Sequence, residues 1–421
     1  MRTPPDVEGN KGMGKRESVI ERMEKIGAKT KIANFVVKQK QDYEFKKRYA
    51  EITALKYVEE CNKRELNYYI SVGGLDSITL FFFLKSIGIN APTVSVSSLE
   101  DKSIQKIHDA LMLEKLKPAK DEEGKYYNKV KIIREFGFPV LSKEIASKVE
   151  KLQSPTEKNA TMRHAIITGE TGEYGGFQKK SKMKLAQKWL KKFAGYENEN
   201  EGVDYDIAPF LLSSKCCWYL KEKPCQDWAK EHNAVPFMGL MASEGGRRAK
   251  GLMINGCNYF GKSVIRSAPF AIFNRQDLLM LALEMDQLWK SGWREEFERR
   301  AIEAGTLKAD EHFPKTIIPE IYGTIERDKD GKLYTTKAQR TGCNMCGFGI
   351  HMEKRPHRFD ILREHNEKEW HFWMYECAID EETGEKFGWG RVLDYIGVGW
   401  EDKPVCKEKQ LILPGQINMF G

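Results

Sequence analysis

The sequence lacks any long apolar run. No stretch approaches the roughly 20 residues that a membrane-spanning helix needs, and the first 17 residues lack the apolar core of a secretory signal. A content of 41% hydrophobic and 31% charged residues excludes a fibrous or wholly disordered chain. These absences predict a globular protein of the cytoplasm that has no membrane partner.

Internal repeats and low-complexity tracts are also lacking, and the length of 421 residues predicts two domains, or one large α/β domain with additions. Because no secretory signal is seen, the nine cysteines suggest metal ligands, catalytic thiols or small buried side chains instead of a disulfide framework. The net charge of +8 is not gathered in one tail. It suits a phosphate-bearing small molecule or a nucleic acid, and equally an ordinary solvated surface.

The pattern of apolar residues changes along the chain. Apolar spacing of three and four residues runs to residue 66, and strand-like runs then alternate with helical ones, the third strand-like run lying at 138–141. Strands separated by helices predict a parallel twisted sheet flanked by helices, an α/β fold. The expected segments are an N-terminal arm with helices (1–66), a nucleotide-binding α/β domain (67–285) and a helical, aromatic C-terminal region carrying cysteines (286–421).

A glycine turn, VGGLDS (72–77), stands between the first predicted strand and the next helix. At the carboxyl end of a parallel strand, Gly73 and Gly74 would let backbone N–H groups curl around phosphate oxygens, helped by the positive end of the helix. Ser77 could donate a hydroxyl, and Asp76 could cap the helix or hold Mg²⁺. The alternative is an ordinary βα turn with a capping aspartate.

Two cysteine groups lie more than a hundred residues apart. Cys343 and Cys346 form C-x-x-C among glycines, and the segment KCCWYLKEKPC supplies Cys216, Cys217 and Cys225. Two ligands from each group would complete a four-thiolate site for zinc or an iron–sulfur cluster.

Adjacent helical residues point about 100° apart, so a tandem pair reaches one metal only with strain, whereas Pro224 could turn Cys225 back. The preferred ligands are therefore Cys216, Cys225, Cys343 and Cys346, with Cys217 as the chief alternative.

Together these segments resemble the phosphoadenylyl-sulfate (PAPS) reductase-like family of the ATP pyrophosphatase (PP-loop, adenine nucleotide alpha hydrolase) superfamily. The turn is similar to the S-G-G-x-D-S loop, with Val72 at the first serine position. Tandem cysteines, K-x-x-P and a distant C-x-x-C-G resemble the [4Fe–4S] pattern of the assimilatory reductases. The spacing from Cys216 to Cys225 also resembles the sulfurtransferase-like members of bacterial DNA phosphorothioation.

Two further segments extend the resemblance over roughly residues 67–350. GLMASEGGRR (239–248) is similar to a family segment, G-x-R-x-x-E-S-x-x-R, that lines the nucleotide pocket, although Met241 stands at an arginine position. Residues 267–284 resemble a segment of these proteins in which a strand is followed by a helix capped at the position of Asn274. The resemblance implies that ATP or a PAPS-like nucleotide is bound by Gly73, Gly74, Leu75, Asp76, Ser77, Glu244, Arg247 and Arg248.

The resemblance also implies an activity. ATP and Mg²⁺ would adenylate a substrate oxygen with loss of pyrophosphate, with Asp76, Ser77 and Arg247 as the catalytic residues, and a [4Fe–4S] cluster would serve sulfur transfer or reduction. The implied partners are an adenine nucleotide, a sulfur donor such as a cysteine desulfurase, a nucleic acid, and a second copy of the chain. The alternatives are a PAPS reductase, or a non-catalytic nucleotide-binding module of a DNA modification or defence system.

The reductases carry a catalytic cysteine in a C-terminal E-C-G-x-H tail, and the nearest match is Glu376-Cys377-Ala378, without the Gly or His. Acidic neighbours and burial are expected to raise the pKa of Cys377 and keep it unreactive. The same buried, structural role is expected for Cys61, Cys257 and Cys406. Arg163 and His164 have no assigned mechanism; a surface arginine and a structural histidine are expected, with a place facing the nucleotide or a second substrate as the alternative.

Overall fold

The computed structural model describes residues 19–195, 208–262, 264–339, 341–343 and 345–401, except for the side chains of 19–26, 246–248 and 365. The polar run ENENEG (197–202), whose composition predicts a loop, and Cys406 lie outside these residues. Within them, no helix combines the length and apolarity required to cross a lipid bilayer.

The chain divides into two compact units, each built from three stretches. Unit 1 takes its residues from 1–94, 103–114 and 229–340, and unit 2 from 95–102, 115–228 and 341–421. The stretches of the two units alternate along the chain. The predicted segments, divided at residues 66 and 285, are consecutive instead.

The strands are short. They are β1 (Asn67–Ser71), β2 (Thr93–Ser95), β3 (Glu114–Lys115), β4 (Val140–Leu141), β5 (Ala234–Phe237), β6 (Asn258–Phe260), β7 (Ile265–Ser267), β8 (Ile325–Arg327), β9 (Leu333–Thr335), β10 (Gly347–Phe348), β11 (Ala378–Ile379) and β12 (Lys386–Phe387).

The helices account for most of the regular structure. They are α1 (Val19–Gln39), α2 (Tyr43–Lys63), α3 (Leu75–Ser86), α4 (Lys102–Ala110), α5 (Lys129–Phe136), α6 (Lys143–Gln153), α7 (Ala160–Thr168), α8 (Gln187–Ala194), α9 (Lys215–Cys217), α10 (Lys223–Glu231), α11 (Gly246–Asn255), α12 (Arg275–Leu288), α13 (Arg294–Glu303), α14 (Arg358–His365), α15 (Glu367–Tyr375) and α16 (Trp389–Ile396). Two π-helical segments, Trp218–Glu222 and Trp289–Trp293, join α9 to α10 and α12 to α13.

The main sheet has six strands in the order β3-β2-β1-β5-β7-β6. Strand β1 pairs parallel with both β2 and β5, β5 pairs parallel with β7, and β6 is antiparallel to β7. The fold is therefore α/β with a mostly parallel sheet flanked by helices. Strands β2 and β3 lie on one side of β1, and β5, β7 and β6 lie on its other side. The direction in which successive strands are added to the sheet therefore reverses between β1 and β5.

Helix α3 supplies much of the apolar core that packs against the main sheet. Its sequence LDSITLFFFLKS is apolar nearly all round, and such a helix is stable only when it is buried. Phe82 packs edge-on against the Trp289 indole at 5.5 Å between ring centres, and Phe83 packs against Phe270 at the same distance. The helix predicted after the glycine turn is confirmed, and the core of unit 1 is built around it.

One strand prediction is wrong in its pairing. The run at 138–141 forms β4, but β4 pairs parallel with β10 in a separate two-stranded sheet of unit 2. Leu141 has a positive φ of 67°, which ends the strand after two residues, and Val140 is buried in the second core. The edge position beyond β2 in the main sheet belongs to β3 instead.

Candidate functional site

The turn 72–77 lies where the strand order of the main sheet reverses. It follows the carboxyl end of β1, and the segment beginning at Met238 follows the carboxyl end of the neighbouring β5. In open α/β sheets this crevice is the usual ligand site. The predicted location of the turn, between a strand and the first turn of α3, is confirmed.

The turn is closed by its own hydrogen bonds. The Gly73 N–H donates to Ser77 Oγ at 2.7 Å, and the Ser77 hydroxyl donates to the Gly74 carbonyl oxygen at 3.0 Å. In this arrangement the Ser77 hydroxyl has its proton and an acceptor lone pair engaged within the loop. An incoming phosphate would therefore have to exchange these bonds for its own.

Three residues that the sequence did not single out support the turn. The Tyr322 hydroxyl oxygen accepts the Leu75 N–H at 3.1 Å. His108 is fully buried, and its Nε2 lies 2.8 Å from the Gly73 carbonyl oxygen, so this nitrogen carries the proton and donates it. No motif signals either residue, because each reaches the turn from a distant part of the chain.

Gly239 supplies the third support by lacking a side chain. A Cβ there would stand 2.9 Å from the Asp76 carbonyl carbon and oxygen and 3.1 Å from the Ser77 nitrogen. Backbone atoms cannot yield cheaply to such a contact. The ends of β1 and β5 therefore meet through a glycine that lies inside the predicted nucleotide segment 239–248.

Asp76 faces a cation. Its Oδ1 lies 3.4 Å from Nη1 of Arg275, and Nη2 of the same guanidinium donates to the Gln339 carbonyl oxygen at 2.9 Å. The first residue of α12 thus brings positive charge to the loop, directly after the predicted cap Asn274. Asn274 Oδ1 accepts the N–H groups of Gln276 and Asp277, which confirms the predicted cap of this helix.

The remaining predicted nucleotide residues lie after β5. Met241 is buried, and Glu244 ends a short 3₁₀ turn, Ala242–Glu244. Arg247 and Arg248 belong to the first turn of α11, and their side chains lie outside the described part of the chain. Their assignment to the nucleotide stays a prediction.

The second candidate site belongs to unit 2 and consists of cysteines. Burial raises the pKa of Cys216, and the negative charge that Cys343, Cys217 and Cys346 can carry raises it further. Burial likewise raises the pKa of Cys217 to about 12, with contributions from Cys346 and Cys343. Thiols influence one another in this way only when they are close, so the structure brings the two cysteine groups together.

This mutual influence includes Cys217. Cys216 and Cys217 precede the π-helical segment Trp218–Glu222, and Cys225 lies in α10 beyond it. A π-helical turn changes the rotation between residues and is often found at functional sites. The preference for Cys225 as a ligand stays a prediction, and Cys217 stays its alternative.

Two lysines bring positive charge to the cysteines. Lys221 donates hydrogen bonds to Cys343 and to Glu100. Burial alone would lower the pKa of Lys221, but its interactions with Cys343 and Glu100 raise it. Lys129 lowers the pKa of Cys216 and Cys346, against the larger effect of burial. Both charges would stabilise thiolates.

Gly347, directly after Cys346, has a steric purpose. A Cβ at this position would stand 2.4 Å from two carbon atoms of the Trp389 ring. The glycine in C-x-x-C-G therefore lets the cysteine loop lie flat against the aromatic core of unit 2.

The described residues do not hold a finished metal site. Within the described ranges, no three Cys, His, Asp or Glu side chains stand in a geometry that could bind a metal ion. The donors fit a thiolate centre in kind and number, but the raised pKa values of Cys216, Cys217 and Cys346 mean that metal binding would have to displace their protons.

A cavity of about 700 Å³ in unit 2 is lined by α5 and Trp373. Its charged lining residues are Lys129, Lys131, Arg134 and Glu135, and Lys129 is the residue that also acts on Cys216 and Cys346. The cavity therefore lies beside the cysteine group and carries a net positive lining.

Cys377 is fully buried, as predicted. Its Sγ donates to the Trp373 carbonyl oxygen at 3.2 Å, and burial raises its pKa to about 12. The expected contribution of acidic neighbours is wrong: the nearby charge that acts on this thiol is Arg134, which lowers the pKa slightly against burial. The buried roles predicted for Cys61 and Cys257 are confirmed.

Arg163 and His164 lie in α7. Arg163 Nε donates to Asn159 Oδ1 at 2.8 Å, and His164 Nε2 lies 3.8 Å from Glu170 Oε2. Both residues therefore make local contacts on unit 2, and a second-substrate role stays a hypothesis.

The class that the structure defines is an α/β protein with a glycine turn at the reversal of its sheet and a separate cysteine group. Comparisons with models of known protein families, with curated proteins and with solved structures found no match.

Proposed function

We propose that the chain is an ATP-dependent adenylating enzyme of the PAPS reductase-like family in the ATP pyrophosphatase superfamily. The observation that carries the proposal is the glycine turn 73–77 at the point where strand order reverses, between β1 and β5. The close approach of Gly239 to Asp76 and Ser77 adds a second strand end to the same crevice. Nucleotides bind at this place in open parallel sheets.

In this proposal the triphosphate lies against the turn and the first turn of α3. The Ser77 hydroxyl leaves Gly74 and donates to a phosphate oxygen, while Arg275 balances the negative charge. A substrate oxygen forms a bond to the α-phosphorus as the bond from that phosphorus to the pyrophosphate oxygen breaks. The products are an adenylated substrate and pyrophosphate.

Mg²⁺ fits this site once the Asp76 carboxylate has separated from Arg275. The ion commonly takes one or two carboxylates and completes its shell with phosphate oxygens and water. Asp76 could supply the carboxylate once Arg275 moves away from it. The positive charge of Arg275 would meanwhile hold the phosphates.

The cysteine group supports the second part of the proposal, a [4Fe–4S] cluster held by Cys216, Cys343, Cys346 and a fourth thiolate from Cys217 or Cys225. Such a cluster supplies electron or sulfur chemistry to an activated substrate. Lys129 and Lys221 would balance the charge of the thiolates, and the cavity beside Lys129 would admit an anionic group. The burial of Cys377 favours this activity over that of a PAPS reductase, whose C-terminal cysteine must be a reactive thiolate.

The nucleotide part is tested with Gly239→Val. The valine side chain would displace the turn, so calorimetric titration with MgATP should show at least a tenfold loss of affinity. Gly251→Ala, in α11 where a Cβ would meet nothing within 4 Å, is the matched control and should bind like the parent. Unchanged ATP affinity in Gly239→Val, with the fold intact by circular dichroism, would rule out this site.

A further inference from the structure

A loop of unit 2 displays two aromatic side chains to solvent. Tyr174 is fully exposed and Phe177 is 72% exposed. Both follow α7 in a segment that the proposed function does not use. Two large rings this exposed within four residues of one loop are candidates for a binding surface.

The loop is held rigidly in this shape. The Thr171 N–H donates to the Gln178 carbonyl oxygen at 2.9 Å, and the Gln178 N–H donates to Thr171 Oγ1 at 2.8 Å. The Thr171 hydroxyl in turn donates to the Gly175 carbonyl oxygen at 2.9 Å. The rings are therefore presented by a fixed backbone, and their exposure does not result from a loose chain.

Lysines follow the rings without interruption by acidic residues. Between Tyr174 and Gly195 the sequence has seven lysines and no aspartate or glutamate, in a chain whose whole net charge is +8. The segment therefore carries a formal charge of +7. An ordinary solvated surface mixes both signs.

The lysines are fixed near the loop. The Ser181 N–H donates to the Gly169 carbonyl oxygen at 2.8 Å, and the side chain of Lys184 packs where a Cβ on Gly169 would be, 3.1 Å from Lys184 Cδ. Helix α8 buries Leu190 and exposes the lysines at 188 and 191.

Residues three apart on a helix share a face, so these last two charges point the same way. We define the aromatic–lysine surface as Tyr174, Phe177, Lys179, Lys180, Lys184, Lys188 and Lys191.

We propose that the aromatic–lysine surface binds single-stranded nucleic acid. Exposed rings offer stacking platforms to unpaired bases, and lysines neutralise the phosphates between them. A duplex hides the faces of its bases, so the rings would favour single strands. Glu170 and Glu173 are the acidic residues of the loop, and Glu170 is near His164. This inference does not depend on the proposed activity, because its residues lie outside both candidate sites.

The test uses the full chain and a fluorescently labelled single-stranded oligothymidine, followed by anisotropy at several salt concentrations. We expect binding that weakens steeply with salt, as phosphate contacts require. The double variant Tyr174→Ala, Phe177→Ala should lose at least about tenfold in affinity, since one stacked base alone contributes that much. Lys179→Ala with Lys180→Ala should weaken binding and flatten the salt dependence.

The control variant is Lys329→Ala with Lys332→Ala, which removes the same charge from exposed positions of unit 1 and should bind like the parent. Heparin, a polyanion without bases, should bind the aromatic double variant and the parent equally. The absence of oligothymidine binding at low salt would overturn the proposal. So would equal losses in the control variant, or binding to vesicles of anionic lipid that depends on Tyr174 and Phe177 when oligothymidine binding does not.

Discussion

The Tyr322 hydroxyl oxygen accepts the Leu75 backbone N–H at 3.1 Å, although 247 residues separate the two in the chain. The donor belongs to the first turn of α3, where N–H groups have no partner within the helix. Tyr322 thus accepts a hydrogen bond from an N–H group that would otherwise point toward a bound anion. The hydrogen bond stabilises the turn and competes with phosphate at the same atom.

Tyr322→Phe is expected to separate these two effects. The buried N–H would lose its acceptor, which costs about 1–3 kcal/mol of unfolding free energy in the protein without ligand. A bound phosphate could replace the acceptor, so MgATP should raise the melting temperature of the variant more than that of the parent. Thermal unfolding with and without MgATP measures both. Tyr334→Phe, at an exposed tyrosine of β9, is the control, and an equal ligand shift in all three proteins would contradict the competition.

The buried ion pair between Lys46 and Asp277 should matter far more than an exposed pair on the same helix. Lys46 Nζ lies 2.8 Å from Asp277 Oδ2, and both side chains are more than nine-tenths buried. Lys46→Ala would leave a buried carboxylate without its cation, which costs about 3–5 kcal/mol. Urea unfolding measures the loss. Lys63→Ala removes an exposed partner of Glu59 on the same helix and should change stability little; similar losses in both variants would contradict this prediction.

The identity of the fourth thiolate can be decided by metal content. We expect about four iron and four sulfide per chain after anaerobic purification. Cys217→Ser should lose most of the iron, because Cys217 is close enough to Cys343 and Cys346 for them to raise its pKa. Cys225→Ser should retain the iron. Iron and acid-labile sulfide assays, with the absorbance near 400 nm, distinguish the two variants. The reverse result would restore Cys225 as the ligand, and stoichiometric zinc without iron in the parent would end the cluster hypothesis.

Cys377 should make stability fall as the solution becomes alkaline. Its pKa is raised to about 12 by burial, and the ordinary value is near 9, so the native state keeps a proton that the unfolded chain loses between these values. This stabilisation is complete below pH 9 and is lost as pH rises toward 12. One such group makes the unfolding free energy fall by about 1.4 kcal/mol per pH unit in that window.

The measurement compares urea unfolding at pH 8 and pH 10.5 in the parent and in Cys377→Ala. The variant should be less stable at both values, because a cavity replaces the sulfur, but its loss with rising pH should be smaller. Equal slopes would mean that Cys377 ionises as readily in the native state as in the unfolded chain.

Local patterns in the sequence predict local structure well. The apolar run after Gly74 predicts α3, and the Asn274 cap of α12 is predicted from a short segment and is confirmed. In both cases the residues that determine the structure are neighbours in the chain. The same pattern predicts that residues 138–141 are extended, but pairing is a property of two segments, and the partner Gly347–Phe348 lies two hundred residues later.

In the candidate sites, too, features made of consecutive residues could be predicted and contacts between distant residues could not. The glycine turn is visible in the sequence because its residues are consecutive. Arg275, Tyr322 and His108 are not visible, since single Arg, Tyr and His residues carry no pattern, and only the packed structure brings each one to the turn. The proximity of Cys217 to the C-x-x-C pair is likewise not visible, because more than a hundred residues separate them in the chain.

The interleaving of the two units has a consequence for how the protein is made. Strand β1 emerges from the ribosome about 160 residues before its parallel neighbour β5, and the second stretch of unit 2 is separated from its last by the whole of residues 229–340. A domain built from consecutive residues can fold during synthesis, as soon as its last residue appears. Here unit 1 cannot be completed until residue 340 has been translated, and no single proteolytic cut can release either unit intact. Growing chains are therefore expected to expose the apolar side chains of α3 until that residue has been added.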